Sequence, residues 1–299
     1  MKILVSGSTG LVGKALVSSL TGAGHQVTRL VRSQPGAGEK DIYWDPAAGS
    51  LDSSRLEGLD GVVHLAGESI AEGRWTAEKK ARIRNSRVKG TQLLAEALAQ
   101  RAQRPRTLIC SSAIGYYGDR GAEILREDSR PGSGFLPDVC REWEAATKPA
   151  AENGIRVVNL RTGLVLSSSG GALPKMLPPF KLGAGGKLGT GQQFMSWISI
   201  DDLVGAIQHA LEKNSLSGPV NAVSPHPVTN LEFTKTLGRV LSRPTIFPMP
   251  AFAVRLMFGE MGEDLLLASA RVEPARLAGS GYVFRYPVLE GALRHVLRK

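Results

Sequence analysis

The residues best suited to chemistry lie near the start of the chain, in the run Gly7-Ser8-Thr9-Gly10-Leu11-Val12-Gly13. This run follows a short apolar segment, Ile3–Val5, and precedes leucines at helical spacing. In a strand–loop–helix unit, one glycine allows a tight turn, a second lets the backbone approach a pyrophosphate and a third permits close helix–strand packing. The N–H groups that begin the helix then face the phosphates. The run predicts a dinucleotide-binding loop; the alternative is a glycine-rich turn without a ligand.

The end of the second predicted strand, Val27–Val31, bears on the choice between NAD and NADP. NAD enzymes usually place Asp or Glu here, because the carboxylate accepts hydrogen bonds from the ribose hydroxyls. In this chain Arg32 and Ser33 follow the strand, and no acidic residue occurs before Glu39. A guanidinium forms paired, charge-assisted bonds to a 2′-phosphate. The sequence therefore predicts NADP(H) as the cofactor, with Arg32 and Ser33 at the 2′-phosphate; the alternative for Arg32 is a solvated loop side chain.

Segments typical of strands and helices alternate through the first half of the chain. The predicted strands are Ile3–Val5, Val27–Val31, Val62–Ala66, Thr107–Cys110, Ile155–Leu160 and Ser196–Ile200. The predicted helices begin at Leu11, near Thr76, at Trp143 and after a capping Asp201. Such alternation indicates βαβ units, and right-handed crossovers between them produce a doubly wound parallel sheet of the Rossmann type.

The composition changes after about Gly163, since the stretch Ser167–Gly191 is rich in Gly, Ser and Pro. A chain of 299 residues is long enough for a Rossmann domain and a smaller lobe. We therefore predict an α/β protein with an NADP-binding domain over residues 1–165 and a smaller C-terminal α/β substrate lobe over residues 166–299. This boundary is soft, because one strand of the sheet can come from the second half.

The net charge of +10 favours an anionic cofactor or substrate. Nucleic acid is a weaker alternative, because aromatic residues are not interleaved with the basic segment Lys79–Lys89. The two cysteines, Cys110 and Cys140, indicate neither a disulfide framework nor a metal site. No apolar run approaches the ~18–20 residues that span a bilayer. We expect a cytoplasmic protein without a nucleic-acid, membrane or metal partner.

Further motifs resemble those of the extended short-chain dehydrogenase/reductases, which include nucleotide-sugar epimerases and dehydratases. They are the glycine run, Leu65-Ala66-Gly67, the segment 111–118 (SSAIGYYG) and the segment 197–203 (WISIDDL). The chain is most similar to an atypical, epimerase-like subfamily of unknown substrate, on Gly67–Ile70, Arg74-Trp75, Ser86-Arg87, Trp143–Ala146 and Arg161–Gly163. The stretch from Pro248 to Pro287 resembles that subfamily's C-terminal domain of unknown function. The resemblance covers essentially the whole chain.

The resemblance implies a cofactor site drawn from several loops. It places the pyrophosphate against Gly7, Thr9, Gly10, Leu11, Val12 and Gly13, and the adenosine half beside Leu65 and Ala66. Arg87 and Arg161 would approach the cofactor from the opposite side. Since a buried guanidinium needs an anion to pair with, the alternative for both arginines is a structural ion pair with Asp or Glu.

The chain departs from the extended family at its Tyr-x-x-x-Lys proton-transfer pair. On the helix that should carry this pair, Leu136 and Cys140 occupy the two positions, and neither can transfer the proton. Ser112 matches the family serine that hydrogen-bonds the substrate oxygen. Tyr116 or Tyr117 is then the candidate phenol, although the alternative for both is aromatic lining of the cleft.

Three functions follow as hypotheses. The first is an NADP(H)-dependent oxidoreductase that acts on a small-molecule carbonyl or alcohol. The missing Tyr–Lys pair motivates the second, a module that binds or senses NADPH without turnover. The third, a nucleotide-sugar epimerase, normally needs the same missing proton donor and ranks last. The extended family often dimerises through a helix pair, which leaves a homodimer open.

Overall fold

The computed structural model describes residues 1–34, 36 and 40–299. The strands in these residues are β1 (Lys2–Ser6), β2 (Gln26–Val31), β3 (Ile42–Asp45), β4 (Ser50–Leu51), β5 (Gly61–His64), β6 (Thr107–Ala113), β7 (Ile124–Leu125), β8 (Arg156–Thr162), β9 (Leu164–Leu166), β10 (Phe194–Met195), β11 (Trp197–Ser199), β12 (Gly218–Ala222), β13 (Val228–Thr229) and β14 (Arg271–Val272). The helices are α1 (Leu11–Gly22), α2 (Ala77–Ala99), α3 (Phe135–Ala145), α4 (Lys148–Glu152), α5 (Ala172–Lys181), α6 (Ile200–Glu212), α7 (Asn230–Leu241), α8 (Ala251–Phe258), α9 (Glu260–Gly262), α10 (Ala275–Gly279) and α11 (Leu289–Leu297). Short 3-10 turns cover Ser53–Leu56 and Ile114–Tyr117, and a π-helical turn covers Glu263–Leu267.

Eight of the described strands form one sheet in the order β12-β8-β6-β5-β1-β2-β3-β4. Its neighbouring strands are parallel except for β3 and β4. The strand order reverses between β1 and β5, so the loops at their carboxyl ends diverge and open a crevice, where sheets of this type bind ligands. The sheet confirms the predicted doubly wound Rossmann fold.

Helices cover both faces of this sheet. On one face α1 packs beside α6, where Leu16 and Ile207 belong to one core. On the other face α2 and α4 share a second core through Leu94 and Ala150. Because both faces are covered, the central strands are nearly continuous apolar runs. No helix in the described ranges has the length and apolar character needed to cross a membrane.

A third core lies in the second half of the chain, where α5, α7 and α11 pack around Trp197 and Phe233. Short strand pairs β9–β11 and β10–β13 accompany it, while β14 pairs with β7 of the first half, so the second half of the chain is α/β, as predicted. Strand β12 also comes from this half, yet it pairs with β8 and completes the large sheet. The second half of the chain therefore contributes a strand to the sheet of the first domain, and the domain boundary at residue 165 stays a prediction.

Two predicted helix starts are wrong. The third predicted helix begins at Phe135 instead of Trp143, and it ends before α4 instead of continuing through Pro149. Pro137 and Pro149 each lie in the first turn of a helix, where a missing N–H costs no intrahelical bond. The cap of α6 is Ser199 instead of Asp201, because the Ser199 hydroxyl accepts the Asp202 N–H at 3.0 Å.

The Asp202 carboxylate joins the start of α6 to the segment that precedes α11. Asp202 is fully buried. Its carboxylate accepts the N–H groups of Arg285 (2.7 Å) and Tyr286 (3.0 Å) and the hydroxyls of Ser199 (2.8 Å) and Tyr282 (3.2 Å). A buried carboxylate with this many donors is well satisfied.

We expect Asp202→Ala to lower the free energy of unfolding by about 3 kcal/mol or more, because each buried donor left without an acceptor costs ~1–3 kcal/mol. Urea unfolding followed by circular dichroism measures the change. Asp201→Ala is the matched control, since among the described residues that carboxylate has its hydrogen bond with His295, at 3.1 Å near the surface. Similar losses in the two variants would contradict this role of Asp202.

Candidate dinucleotide site

The glycine run forms a tight loop between β1 and α1. Gly7 has a φ of +64°, and a Cβ atom there would lie 2.7 Å from the Leu65 carbonyl carbon. A Cβ atom on Gly13 would lie 2.2 Å from the Gly7 carbonyl oxygen. Both positions therefore require glycine. The backbone of the first loop lies directly against the loop that follows β5, as close packing around a pyrophosphate requires.

The amino end of α1 faces this loop without a side-chain cap. Gly10 is the N-cap residue, and its N–H donates to the Gly7 carbonyl at 3.0 Å. No side chain caps α1, and its first turn contains no acidic residue. The first N–H groups, those of Leu11, Val12 and Gly13, have no partner within the helix, so the positive end of the helix dipole is open to an anion.

A buried histidine and serine hold the second loop against the first. The Ser6 hydroxyl oxygen accepts the N–H groups of Leu65 (3.1 Å) and Ala66 (3.3 Å), and it lies 2.6 Å from Nδ1 of His64. Because this oxygen already accepts two N–H groups, we assign its proton to Nδ1; the buried Nε2 atom has no hydrogen-bond partner among the described residues. Burial lowers the pKa of His64 to about 4. The Ser6–His64 pair therefore fixes the backbone at Leu65 and Ala66, beside which the adenosine half is predicted.

Arg32 and Ser33 are exposed at the end of β2, as a contact with a 2′-phosphate would require. Lys79 donates to Glu68 in the loop after β5, and this bond, helped by the fields of Arg82 and Arg32, lowers the pKa of Glu68. Arg32 thus lies near the loop that flanks the predicted adenosine site. Arg29 instead pairs with Asp41. Arg32 forms no ion pair with a described carboxylate.

Arg87 reaches the crevice from α2. Its guanidinium lies 5.0 Å from the Trp143 ring centroid, and Nη1 donates to the Ile83 carbonyl at 3.1 Å. A Cβ atom on Gly67, after β5, would lie 3.3 Å from the guanidinium carbon. Burial lowers the pKa of Arg87. Since Arg87 forms no ion pair with any carboxylate among the described residues, its position supports a role toward an anionic ligand.

Arg161 differs, because a structural ion pair occupies it. Its Nε and Nη2 atoms each lie 2.8 Å from one oxygen of Glu144, while Nη1 donates to the Tyr117 hydroxyl at 3.0 Å. The Arg161 side chain is 3% exposed and that of Glu144 13%. The planar guanidinium matches both carboxylate oxygens. The structure thus corrects the expectation that Arg161 pairs with the cofactor: its donors are used within the protein.

The same pair engages two of the three predicted catalytic residues. The Ser112 hydroxyl donates to Glu144 Oε1 at 2.7 Å, and the Tyr117 hydroxyl donates to Asn221 Oδ1 at 2.7 Å. Tyr117 is fully buried, and this burial raises its pKa to about 12. Tyr117 is therefore part of the packed interior, which corrects its expected role as a proton donor.

Tyr116 is the remaining phenol of the predicted set. Its ring covers Arg161, with 3.4 Å between the guanidinium carbon and the ring centroid. The residue is half-buried, and its hydroxyl forms no hydrogen bond to another described residue. The sequence shows no cation near this ring; in the structure the Arg161 guanidinium, which is paired with Glu144, stacks on its face.

The positions expected for the Tyr–Lys pair do lie beside this turn. A Cβ atom on Gly115 would be 3.4 Å from Leu136 Cβ and 3.9 Å from the Cys140 sulfur. Both positions hold side chains without a useful proton. Burial raises the pKa of the Cys140 thiol to about 12, so a nucleophilic thiolate is disfavoured.

Sequence reasoning missed the roles of Glu144 and Asn221. The motif Trp143–Ala146 contains Glu144 but does not give its role, although a predicted buried arginine is itself a signal for a carboxylate partner. No local pattern connects Asn221 on β12 to Tyr117, because they are 104 positions apart. Within the described ranges, no cluster of His, Cys, Asp and Glu could hold a metal ion.

The doubly wound sheet, its crevice and the glycine loop define a Rossmann-type dinucleotide-binding protein. The chain belongs to the NAD-dependent epimerase/dehydratase family, whose pattern matches residues 3–223. Residues 249–296 match a domain of unknown function. These matches confirm the family resemblance read from the motifs.

The relatives extend this similarity over the whole chain. An epimerase family protein of Mycobacterium tuberculosis is 43% identical over 291 residues, which cover 97% of this chain and 96% of that protein. The crystal structure of the human epimerase family protein SDR39U1 with NADPH is 38% identical, covers 100% of both chains and has a TM-score of 0.91. A nucleoside-diphosphate sugar epimerase from Corynebacterium glutamicum is 41% identical, with a TM-score of 0.82, over 99% of this chain and 58% of that chain.

We expect acid to destabilise the protein through His64. Its folded pKa of about 4 lies below the unfolded value of ~6.5, so the unfolded state binds the proton first as the pH falls. The stabilisation is complete above pH ~6.5 and is lost down to pH ~4, which amounts to about 2 kcal/mol between pH ~6.5 and pH ~5.

Urea unfolding at the two pH values tests this expectation with His64→Phe and with a control, His226→Phe, at an exposed histidine. His64→Phe should remove most of the pH dependence, whereas the control should keep it. An unchanged pH dependence in His64→Phe would assign the acid sensitivity to other groups.

Proposed function

We propose that this protein is an NADP(H)-dependent oxidoreductase that acts on a small-molecule carbonyl or alcohol. The observation that carries the proposal is the combination of an uncapped α1 terminus with exposed Arg32 and without an acidic residue in the first turn of α1. This arrangement suits a ligand with a pyrophosphate and a further phosphate. The NADPH bound to the human relative supports the same choice of cofactor.

The residues present fit such a cofactor. Gly7 and Gly13 leave no room for side chains at the pyrophosphate loop, and the N–H groups of α1 bind the phosphates. Arg32 and Ser33 bind the 2′-phosphate, Leu65 and Ala66 flank the adenosine, and Arg87 approaches from α2. When bound, the nicotinamide ring supplies or accepts the hydride.

The proton that accompanies the hydride must pass through this chain or through water. Ser112 lies at the carboxyl end of β6, where its hydroxyl oxygen keeps acceptor capacity while its proton is directed to Glu144. Tyr116 has an uncommitted hydroxyl on a ring that covers the Arg161 guanidinium. We assign the proton transfer to Tyr116, and a positioning role to Arg161 and Glu144 beneath it.

A second candidate function is an NADPH-binding or sensing module without turnover. Leu136 and Cys140 favour it, because they stand beside the turn where the family's proton-transfer pair would lie. Nucleotide-sugar epimerisation ranks behind both, since it normally uses the same missing donor and rests on fold-level analogy.

We expect calorimetric titration to show tight binding of NADPH and weak binding of NADH. Arg32→Ala should weaken NADPH binding by about 10–100-fold, the effect of losing charged hydrogen bonds to a phosphate, and should leave NADH binding unchanged. Arg106→Ala is the matched control, because this exposed arginine precedes the amino end of β6, at the end of the strands opposite to the cofactor crevice. Equal affinity for the two cofactors, or no binding, would remove the basis of the proposal.

We expect Tyr116→Phe to reduce carbonyl-dependent oxidation of NADPH by about 10²–10⁴-fold, the usual effect of losing a positioned proton donor, while NADPH affinity is retained. Absorbance assays with a panel of aldehydes and ketones measure the rate. Tyr117→Phe is the comparison, and it should lower stability more than turnover. Full activity in Tyr116→Phe would exclude its phenol, and a wild-type protein that binds NADPH but oxidises none with any carbonyl would favour the sensing module.

A further inference from the structure

Eight large apolar side chains of the C-terminal half are more than half exposed, and six of them lie between residues 182 and 257. The exposed fractions of these six run from 56% to 83%, and they are Leu182, Ile246, Phe247, Phe252, Leu256 and Met257, here called the apolar patch. Single exposed apolar residues are ordinary on protein surfaces, whereas contiguous ones mark interaction sites. The question is therefore whether these side chains share one surface.

Two chain segments bring the first three together. Residues 181–189 and 243–249 run side by side, since Arg243 Nε donates to the Lys181 carbonyl at 2.9 Å and the Phe247 N–H to the Gly185 carbonyl at 3.4 Å. Farther along, the Met249 N–H donates to the Lys187 carbonyl at 2.9 Å. A Cβ atom on Gly183 would lie 3.6 Å from the Pro244 ring, so Leu182 adjoins the stretch that directly precedes Ile246 and Phe247.

Helix α8 follows these segments closely in the chain. It begins at Ala251, immediately after the paired segments, so Phe252 lies within about 17 Å of Phe247, the reach of five extended residues. Phe252 and Leu256 are four positions apart, which places them on one face of the helix. Val254, the buried residue of α8, points the opposite way. The exposed side of α8 therefore presents Phe252 and Leu256 together with Arg255, which pairs with Glu263.

Positive charge lies beside Leu182, Ile246 and Phe247, whereas charges of both signs lie beside α8. Residues 153–200 and 233–259 include no aspartate or glutamate, but Glu260, Glu263 and Asp264 follow α8 directly, and Glu263 pairs with Arg255. An open groove of about 490 Å³ extends as far as Thr245, the residue before Ile246. Its lining includes Lys235, Arg239 and Arg243. Arg239 lies 3.3 Å from Glu290, while Lys235 and Arg243 form no ion pair with a described residue. An anionic partner would therefore be attracted to this groove.

We propose that this surface docks onto an anionic lipid bilayer. The apolar patch would enter the headgroup region, and the cations of the groove would contact lipid phosphates. Exposed Phe and Leu beside Lys and Arg are the features by which proteins bind a membrane interface without spanning it. The prediction of no membrane partner rests on the lack of a spanning segment, which a peripheral contact does not require.

Two other occupants fit the surface less well. In a symmetric dimer formed through this face, the cations of one copy would meet those of the other, which disfavours association. An acidic peptide would need a groove with apolar pockets for its side chains. Here the groove is lined by polar and cationic residues, and the apolar side chains project from the surface, as their exposure shows.

Co-sedimentation of the full chain with vesicles tests the proposal. One set of vesicles contains phosphatidylcholine alone, and the other contains equal amounts of phosphatidylcholine and phosphatidylglycerol. We expect pelleting only with the anionic set, with lipid affinity reduced roughly fivefold for each cation removed in Lys235→Ala and Arg243→Ala. Ile246→Ser combined with Phe247→Ser should weaken binding by about tenfold or more.

Matched controls are Val283→Ser, at another apolar residue that is 82% exposed, and Lys89→Ala, at an exposed lysine on α2; both should pellet like the wild type. Absence of pelleting with anionic vesicles would overturn the proposal, as would equal losses in the controls. A mass by light scattering that halves in the Ile246→Ser/Phe247→Ser variant would instead assign the surface to a second copy. Vesicle-independent retention on an immobilised acidic peptide would assign it to a protein partner.

Discussion

The candidate cofactor site depends on the close approach of two loop backbones, those of Gly7 and Leu65. A side chain at Gly7 would collide with the Leu65 carbonyl, and one at Gly13 with the Gly7 carbonyl. Because neither has one, α1 begins directly at the edge of the sheet, with its open N–H groups facing the crevice. The Ser6 hydroxyl oxygen accepts the Leu65 N–H and so maintains the distance between the two loops. The same hydroxyl lies within hydrogen-bond distance of His64. The phosphate-binding geometry is thus built from contacts that lie in the core.

The Glu144–Arg161 ion pair has a comparable role on the other side of the crevice. It connects α3 to β8, and through Ser112 and Tyr117 it extends to β6 and to the turn that follows. A desolvated carboxylate and guanidinium are stable only when their remaining bonding capacity is satisfied, which explains why so many polar groups converge there. The polar groups that hydrogen-bond to the ion pair are therefore not available to bind a substrate. Tyr116, which only covers the guanidinium, escapes that restriction.

The sequence predicts what local patterns encode. The strand–loop–helix spacing at Gly7–Gly13 identifies the phosphate loop, and the alternation of apolar segments identifies the doubly wound sheet. What the sequence leaves open depends on contacts between distant positions. Arg161 reads equally well as a cofactor ligand or as half of an ion pair until α3 is placed against β8, and Tyr116 and Tyr117 are distinguished only by which ring faces Asn221 on β12. The start of α3 at Phe135 lies outside the segment predicted to be helical, and Pro137 stands in its first turn, where proline is tolerated.

Net charge alone does not locate a ligand, since many arginines of this chain already have carboxylate partners. Arg84, Arg141 and Arg255 each pair with a nearby acid, so their charge is largely neutralised where it lies. A cation points to a ligand when packing holds it in place and it forms no ion pair with an acidic residue. Arg87 is such a case: burial disfavours its charge, the Trp143 ring offsets part of that cost, and Glu68 contributes a favourable field without forming an ion pair. A half-buried guanidinium without an ion pair at a Rossmann crevice is more stable with an anion beside it, which is an electrostatic argument that this crevice holds a phosphorylated ligand.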